Sequence, residues 1–389
     1  MINTTQRIQS LNTHFFATLE AKITLLQKDG CDIIRLDVGT PDMPPAPHIT
    51  ATLSKAASRP DAHGYQNYRG TPALCQAWAE MYRRVYAVDL DPEQEVLPLM
   101  GSKEGIFNLI QAYIDPGDVV LVPDPGYMTY RRATLFAGGE PYAMPLLPEC
   151  GFLPDLQAIP RDVIRRAKLL WLNYPSNPTA ATASVGFLTE AVEFARQHGL
   201  LLCHDAAYTQ VTFDSYRAPS LLAVPGAQEV ALEVNSLSKS HNMAGWRLGA
   251  AVGNSQALNA LYRVKANADN GHFLPILEAA VAAMTGEQDW IRDRNEIYRQ
   301  RRDVVVQALH EVGLACTLPK ASLYVWFAIP IGWTSAAFTD LLLEKAQVSL
   351  TPGPVFGERG EGYIRLAFTE PLELVTEAMR RVVSVVGGL

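Results

Sequence analysis

The stretch Val234-Asn-Ser-Leu-Ser-Lys-Ser-His-Asn-Met-Ala-Gly-Trp-Arg-Leu-Gly-Ala-Ala-Val-Gly253 decides how the rest of the chain is read. A short apolar run, Glu229-Val-Ala-Leu-Glu-Val-Asn235, leads into it and ends in polar residues, which places Lys239 at a strand end. Ser236 and Ser238 stand just before that lysine, and Arg247 follows on the same loop. An amine in a dry, cationic site loses its proton more easily, and this suits a lysine that forms a Schiff base with an aldehyde. With Ser236, Ser238 and Arg247 to hold a phosphate, the outline is that of pyridoxal 5'-phosphate chemistry. A lone Ser-Lys pair is commonly an ordinary surface feature, so the weight of the reading falls on the rest of the chain.

A second reading competes at the same residues. Ser236-Leu-Ser-Lys239 fits the Ser-x-x-Lys pattern of penicillin-binding serine acyl-enzymes, which also require a Lys-Thr-Gly strand and a Ser-Asp-Asn element after the serine. Neither follows Ser236.

Composition narrows the field. The 389 residues are 48% hydrophobic and 19% charged, those of an ordinary globular protein with a large core and two or three domains. A net charge of −7 without a basic run argues against nucleic acid as a partner and for a small molecule. Cys31, Cys75, Cys150, Cys203 and Cys316 are scattered, odd in number and without a Cys-x-x-Cys pair. Reduced, buried thiols are expected, with no disulfide framework and no metal site. The N-terminal residues lack the apolar run of a signal peptide, and no uncharged stretch is long enough to span a bilayer, so a cytoplasmic protein without membrane contact is expected.

Taken in order, residues 1–30 carry Ile8, Leu11, Phe15, Phe16, Leu19, Ile23 and Leu26 at helical spacing, with Gly30 as a stop. Gly39-Thr-Pro41 then breaks a short strand at a turn where backbone can approach a ligand closely. Gly101-Ser-Lys-Glu-Gly105 opens a helix whose N-terminus offers free amides to a phosphate. Short apolar runs at 119–124, 168–173, 199–205 and 230–234 have parallel-sheet character, with helical patterns between them. Open α/β sheets bind ligands at the carboxyl ends of their strands. Here those ends run into Pro125-Gly-Tyr127, Tyr174-Pro-Ser-Asn-Pro178, Asp205-Ala-Ala-Tyr208 and Lys239, all polar or aromatic. Their convergence on one aromatic, phosphorylated ligand raises the lysine reading above its rivals.

Beyond about residue 285 a long charged helix and two strand-like runs, 321–329 and 363–368, suggest a smaller α+β unit. The expected organisation is an N-terminal arm with part of the small domain over 1–44, a large cofactor-binding domain over 45–285, and a small domain over 286–389.

The cofactor's chemistry assigns tasks to these residues. Asp205 is the candidate carboxylate facing the pyridine nitrogen, where it would keep the ring cationic. Tyr208 and Asn177 are candidates for the ring hydroxyl, and Tyr127 for stacking on the ring face. Lys239 would carry the substrate's Cα proton once freed. Arg365, on a small-domain strand, offers a fork to the substrate α-carboxylate.

With these residues in view, the chain resembles fold type I pyridoxal phosphate aminotransferases of class I/II over nearly its full length. The resemblance is carried by Asn177-Pro-Thr, Asp205-x-x-Tyr208, Ser-x-Ser-Lys239 and Gly245-Trp-Arg247-x-Gly249. Longer runs, such as Cys203-His-Asp-Ala-Ala-Tyr208 and His241-Asn-Met-Ala-Gly-Trp-Arg247, are similar to the L,L-diaminopimelate aminotransferase branch. The resemblance implies an α/β fold with a mostly parallel central sheet and a smaller α+β domain. It implies a homodimer in which Tyr65 of one chain reaches the phosphate held by the other. It also implies that Gly101, Ser102 and Lys103 join Ser236, Ser238 and Arg247 at the phosphate, and that Gly39 and Asn177 assist Arg365. The implied activity is ping-pong transamination with 2-oxoglutarate and glutamate as the second pair. An aspartate or alanine aminotransferase, or a carbon–sulfur β-lyase on the same fold, would use the same residues. A regulatory binding domain of this fold would need an N-terminal DNA-binding segment for which the first 30 or so residues leave no room. One departure stands out: Ala180 occupies a position where the family has glycine. His272 is a candidate for reaching the distal end of the partner chain's substrate.

Overall fold

The computed structural model describes residues 4–9 and 15–389. The expected N-terminal helix is two pieces among these, Gln6–Gln9 and Phe15–Lys28, with Leu11 outside the described residues. Gly30, at φ +86°, ends the second piece in a left-handed conformation that a side chain would strain. The chain then forms β1 (Ile34–Arg35), whose partner lies near the other end of the sequence.

Seven strands build the central sheet: β2 (Val96–Leu99), β3 (Val119–Asp124), β4 (Glu140–Pro145), β5 (Ala167–Asn173), β6 (Leu201–Asp205), β7 (Ala231–Ser236) and β8 (Gly249–Gly253). Their order across the sheet is β2-β8-β7-β6-β5-β3-β4. The five from β4 to β7 run parallel, and β8 runs antiparallel to both its neighbours. Helices cover both faces, which explains why β3 and β7 are buried at every position and read as unbroken apolar runs. β2, β4 and β8 escaped sequence reading. β2 and β8 pair at one edge, and β8 is built from small residues, Gly-Ala-Ala-Val-Gly, with little strand signature.

This order positions the site. β5, β6 and β7 are adjacent and parallel, with Asn173 opposite Asp205 and Asp205 opposite Val234. The carboxyl ends of three consecutive strands therefore meet on one rim. Antiparallel pairing of β7 with β8 sets Ser236 opposite Gly249, so the intervening loop leaves and returns at that rim with Lys239 and Arg247 on it.

A second, antiparallel sheet consists of β9 (Tyr324–Ala328), β12 (Tyr363–Ala367) and β11 (Thr351–Pro352), with β12 in the middle. β10 (Val348–Ser349) pairs in parallel with β1 and ties the N-terminal segment to the C-terminal part of the chain. The helices Asp289–Glu311 and Leu372–Val386 pack on this sheet around a separate apolar core that includes Leu36, Tyr298, Leu309, Phe327, Leu366 and Met379.

Among the cysteines, Cys75 and Cys203 are buried and all five are free thiols, but Cys150 is exposed. The expectation of uniform burial fails at Cys31 and Cys316, which are partly buried, and most clearly at Cys150, which closes a short turn ahead of Gly151 rather than entering a strand. No helix among the described residues is long and apolar enough to cross a membrane.

Candidate active site

A cavity of about 690 Å³ opens at the rim formed by β5, β6 and β7. Asp205, the last residue of β6, sits at its floor. The residue is 5% exposed, its Oδ2 accepts a hydrogen bond from Tyr130 Oη at 2.8 Å, and its Oδ1 has no partner. Burial raises its pKa above the ordinary carboxylate range. A buried carboxylate oxygen without a donor is costly, and a cationic N–H group placed against it would reverse that cost.

Lys239 enters from the short helix Leu237–Ser240 that follows β7. Its Nζ donates to the Gly39 carbonyl at 2.5 Å. Burial of the amine, then the positive charges of Arg365 and Arg247, pull its pKa from 10.5 down to about 8. A sizeable fraction is therefore a free nucleophile near neutral pH, where an ordinary lysine is almost wholly protonated. The apoprotein is predicted to capture the aldehyde cofactor at a rate that rises with pH through a midpoint near 8. Stopped-flow absorbance would measure it. Because Arg365 lowers the amine pKa, Arg365→Gln shifts the midpoint upward, and a midpoint that stays put would refute the electrostatic cause.

The anion corner is built from two loops. The helix Ser102–Tyr113 begins at the rim, with Ser102 and Lys103 lining the cavity in its first turn. Gly101 precedes it at φ +83°, and a Cβ there would stand 2.5 Å from an Arg247 guanidinium nitrogen. Gly101 thus contributes by letting Arg247 lie close, rather than by lining the cavity itself. Arg247 adopts a left-handed backbone at φ +58°, and its Nη1 donates to the Ala244 carbonyl at 2.7 Å and weakly to Ser238 Oγ at 3.5 Å. Burial, then repulsion from Arg132 and Arg247, lowers the pKa of Lys103. Free amides at a helix start beside crowded cations form a seat that an anion would relieve. Ser236 lines the cavity too, but its Oγ caps the Lys239 helix by accepting from Ser238 N at 3.1 Å and donates to the Leu248 carbonyl at 3.3 Å.

On the opposite wall, Arg365 projects from β12 and is 4% exposed. It donates to Asn177 Oδ1 at 2.9 Å and to the Asp37 carbonyl at 2.6 Å, and its guanidinium lies 4.4 Å from the Tyr324 ring centre. Its Nε has no partner. Gly39 forms the adjoining backbone, where any side chain would collide with the Tyr324 ring. Tyr208 lines the cavity with its hydroxyl 2.8 Å from that of Tyr324. Tyr127 also lines it, edge-on to Tyr130, which stacks on Trp171.

Asn177 lines the cavity and contacts Arg365 through its side chain and Asn173 Oδ1 through its backbone N–H. His272 does not line this chain's own cavity. It is 9% exposed, and its Nε2–H donates to the Arg247 carbonyl at 2.7 Å, bracing that left-handed residue from behind. Ala180 takes φ +57°, the conformation that favours glycine, at a cost of about 1 kcal/mol. Tyr65 does not line this chain's own cavity and is 90% exposed.

Three contributors were missed. Asn173 lines the cavity and donates to the Asp205 carbonyl at 2.8 Å; a polar residue ending an apolar strand was the available signal. Tyr130 and Tyr324 gave none, because the apolar patterns around them read equally well as core. The residues present fit pyridoxal phosphate: an unpartnered Asp205 oxygen, a lysine amine of lowered pKa and a cationic corner at a helix start share one cavity.

These features define a pyridoxal-phosphate-dependent enzyme, and residues 31–382 match the model of aminotransferase class I and II. The chain belongs to that family. It is 49% identical over 98% of both chains to an LL-diaminopimelate aminotransferase of Moorella thermoacetica, and 47% identical over 97% of this chain and 96% of the relative to one of Desulforudis audaxviator. Among solved structures, substrate-bound BacF from Bacillus subtilis matches with a TM-score of 0.94 at 37% identity, covering 99% of this chain and 98% of that one. A probable N-succinyldiaminopimelate aminotransferase from Thermus thermophilus matches with a TM-score of 0.90 at 37% identity, covering 95% of this chain and 99% of that one.

Proposed function

We propose that the protein is an L,L-diaminopimelate aminotransferase that exchanges the amino group with 2-oxoglutarate and glutamate. The observation carrying the substrate is the 49% identity over 98% of both chains to a relative of that name. Bound in the cavity, pyridoxal phosphate supplies a carbonyl carbon that exchanges amines and a ring that accepts the electron pair of the substrate Cα–H bond.

The chain's own residues do the rest. Ser102, Lys103, Ser238 and Arg247, with the backbone around Gly101 and Ser236, would hold the phosphate, and Asp205 would hold the proton of the ring nitrogen. Tyr208 would donate to the ring oxygen, and Tyr127 would pack against the ring. Arg365 takes the substrate α-carboxylate as a fork, aimed by Asn177 and by the backbone at Asp37 and Gly39. Lys239 Nζ, as a free amine, would carry the proton between the substrate Cα and the carbon at which the amines exchange. Its lowered pKa supports that use.

The enzyme acts as a homodimer. Tyr65 is 90% exposed in a loop whose His63 ring lies tilted against Phe273, itself 40% exposed, and this supports Tyr65 reaching the phosphate held by the partner subunit. The cytoplasm is the matching compartment, in keeping with five free thiols and no membrane-crossing helix among the described residues.

A half-reaction tests the substrate. L,L-diaminopimelate and glutamate, added separately to the holoenzyme, are expected to convert the cofactor to its aminated form, followed by absorbance, while aspartate and alanine leave it unchanged. Conversion by aspartate or alanine with diaminopimelate silent would refute the substrate and keep the aminotransferase. Pyruvate release from cystathionine without an amino acceptor would replace transamination with β-elimination.

A further inference from the structure

The side chains of Glu20, Arg35 and Asp37 form a second charged wall of the cavity that takes no part in the proposed transamination steps. Arg35 ends β1, and Asp37 follows two residues on at a bend that lets the two side chains pair. The Asp37 carboxylate, fully buried, accepts from Arg35 Nε at 2.8 Å and Nη2 at 2.9 Å. The remaining arm of the fork, Nη1, donates to Glu20 Oε2 at 2.8 Å, across from the helix Phe15–Lys28. Asp37 also receives Arg365 on its backbone carbonyl. Two guanidiniums are thus anchored on one aspartate, one by its main chain and one by its side chain, which limits their separation to roughly 10 Å. An extended seven-carbon dicarboxylate spans roughly 7–8 Å between its carboxyl carbons, a length within that limit, and both arginines line the same cavity.

The two contacts of Arg35 differ in kind. Asp37 grips it with two hydrogen bonds in full burial, whereas the Glu20 side chain is 60% exposed and makes one. The Glu20 contact is the separable one. A ping-pong enzyme of the proposed specificity must accept two distal ends in one cavity: the diamine's ammonium and carboxylate, and glutamate's carboxylate alone. A fixed cation would favour glutamate and repel the ammonium, but a carboxylate and a guanidinium that can part serve both.

We infer that Glu20 and Arg35 are the specificity-determining pair for the substrate's distal end, Glu20 receiving the distal ammonium and Arg35 the distal carboxylate. With glutamate, Arg35 Nη1 turns from Glu20 to the substrate. This inference rests on the proposed diaminopimelate activity.

Glu20→Gln keeps the shape of an exposed side chain and removes its charge. With the holoenzyme, KM for L,L-diaminopimelate is expected to rise about tenfold or more with kcat little moved, while KM for glutamate holds or falls. Pimelate, which has both carboxylates and no amine, is expected to inhibit this variant more strongly than the wild type. Arg35→Lys keeps the charge and loses the fork, and should weaken pimelate together with both substrates. Equal changes for the two amino donors in Glu20→Gln, or no change in their ratio, overturn the inference and leave the proposed function standing. A wild-type enzyme that does not convert diaminopimelate overturns the proposed function itself, and this inference with it.

Discussion

Lys239→Ala is expected to lower turnover by about 10⁴-fold or more and to remove the covalent attachment of the cofactor. The magnitude follows from the double use of one amine. Nζ is the only amine directed to the Gly39 rim of the cavity among the described residues, and burial with two neighbouring arginines holds it near pKa 8. Lys103, the other lysine of the cavity, is engaged in the cationic corner at a helix start and cannot substitute at the carbonyl carbon. Alanine leaves the phosphate seat intact, so the variant should still take up cofactor, which borohydride then fails to fix to the protein. Mass spectrometry after reduction reads this directly. Reductive labelling at another lysine with normal turnover would contradict the assignment.

Asp205→Ala is expected to bind cofactor yet lower turnover by about 10²–10⁴-fold, with Asp205→Asn falling nearly as far. The carboxylate stands buried with one oxygen held by Tyr130 and the other bare toward the cavity. Burial pushes its pKa up, and a cation facing it would favour the ionised form. That mutual dependence makes the charge, rather than the hydrogen bond, the decisive feature. Asparagine can keep the Tyr130 contact but cannot hold a proton on a facing ring nitrogen. The absorbance of the bound cofactor would report occupancy separately from rate, and normal turnover in either variant would exclude the role.

Much of this chemistry was legible in the chain because the residues cluster in sequence where strands end. Asp205 ends β6 with Tyr208 in the turn after it, and Ser236 ends β7 with Ser238, Lys239 and Arg247 between it and β8. A parallel sheet buried on both faces forces its strands to be apolar runs, and polar residues at their ends then mark the rim. Side-chain direction was not legible. His272 turned inward to the Arg247 carbonyl because the backbone there leaves it buried, and spacing carries no information about that.

By itself the sequence determined the α/β class, and it placed the lysine and its serine and arginine neighbours at a strand end and Arg365 on a later strand, since each follows from local pattern or from groups close along the chain. Only the tertiary structure decided what lies across the cavity. Arg365 reaches Asn177 and the Asp37 carbonyl, Tyr324 meets Tyr208, and Tyr130 holds Asp205, all between segments far apart in sequence. Local propensity is set by the few residues around a position, whereas these contacts depend on strand order and on β1 pairing with β10 from the opposite end of the chain. The Glu20–Arg35 pair belongs to that second kind, because a helix and a strand 15 positions apart face each other only once both are packed against the cavity.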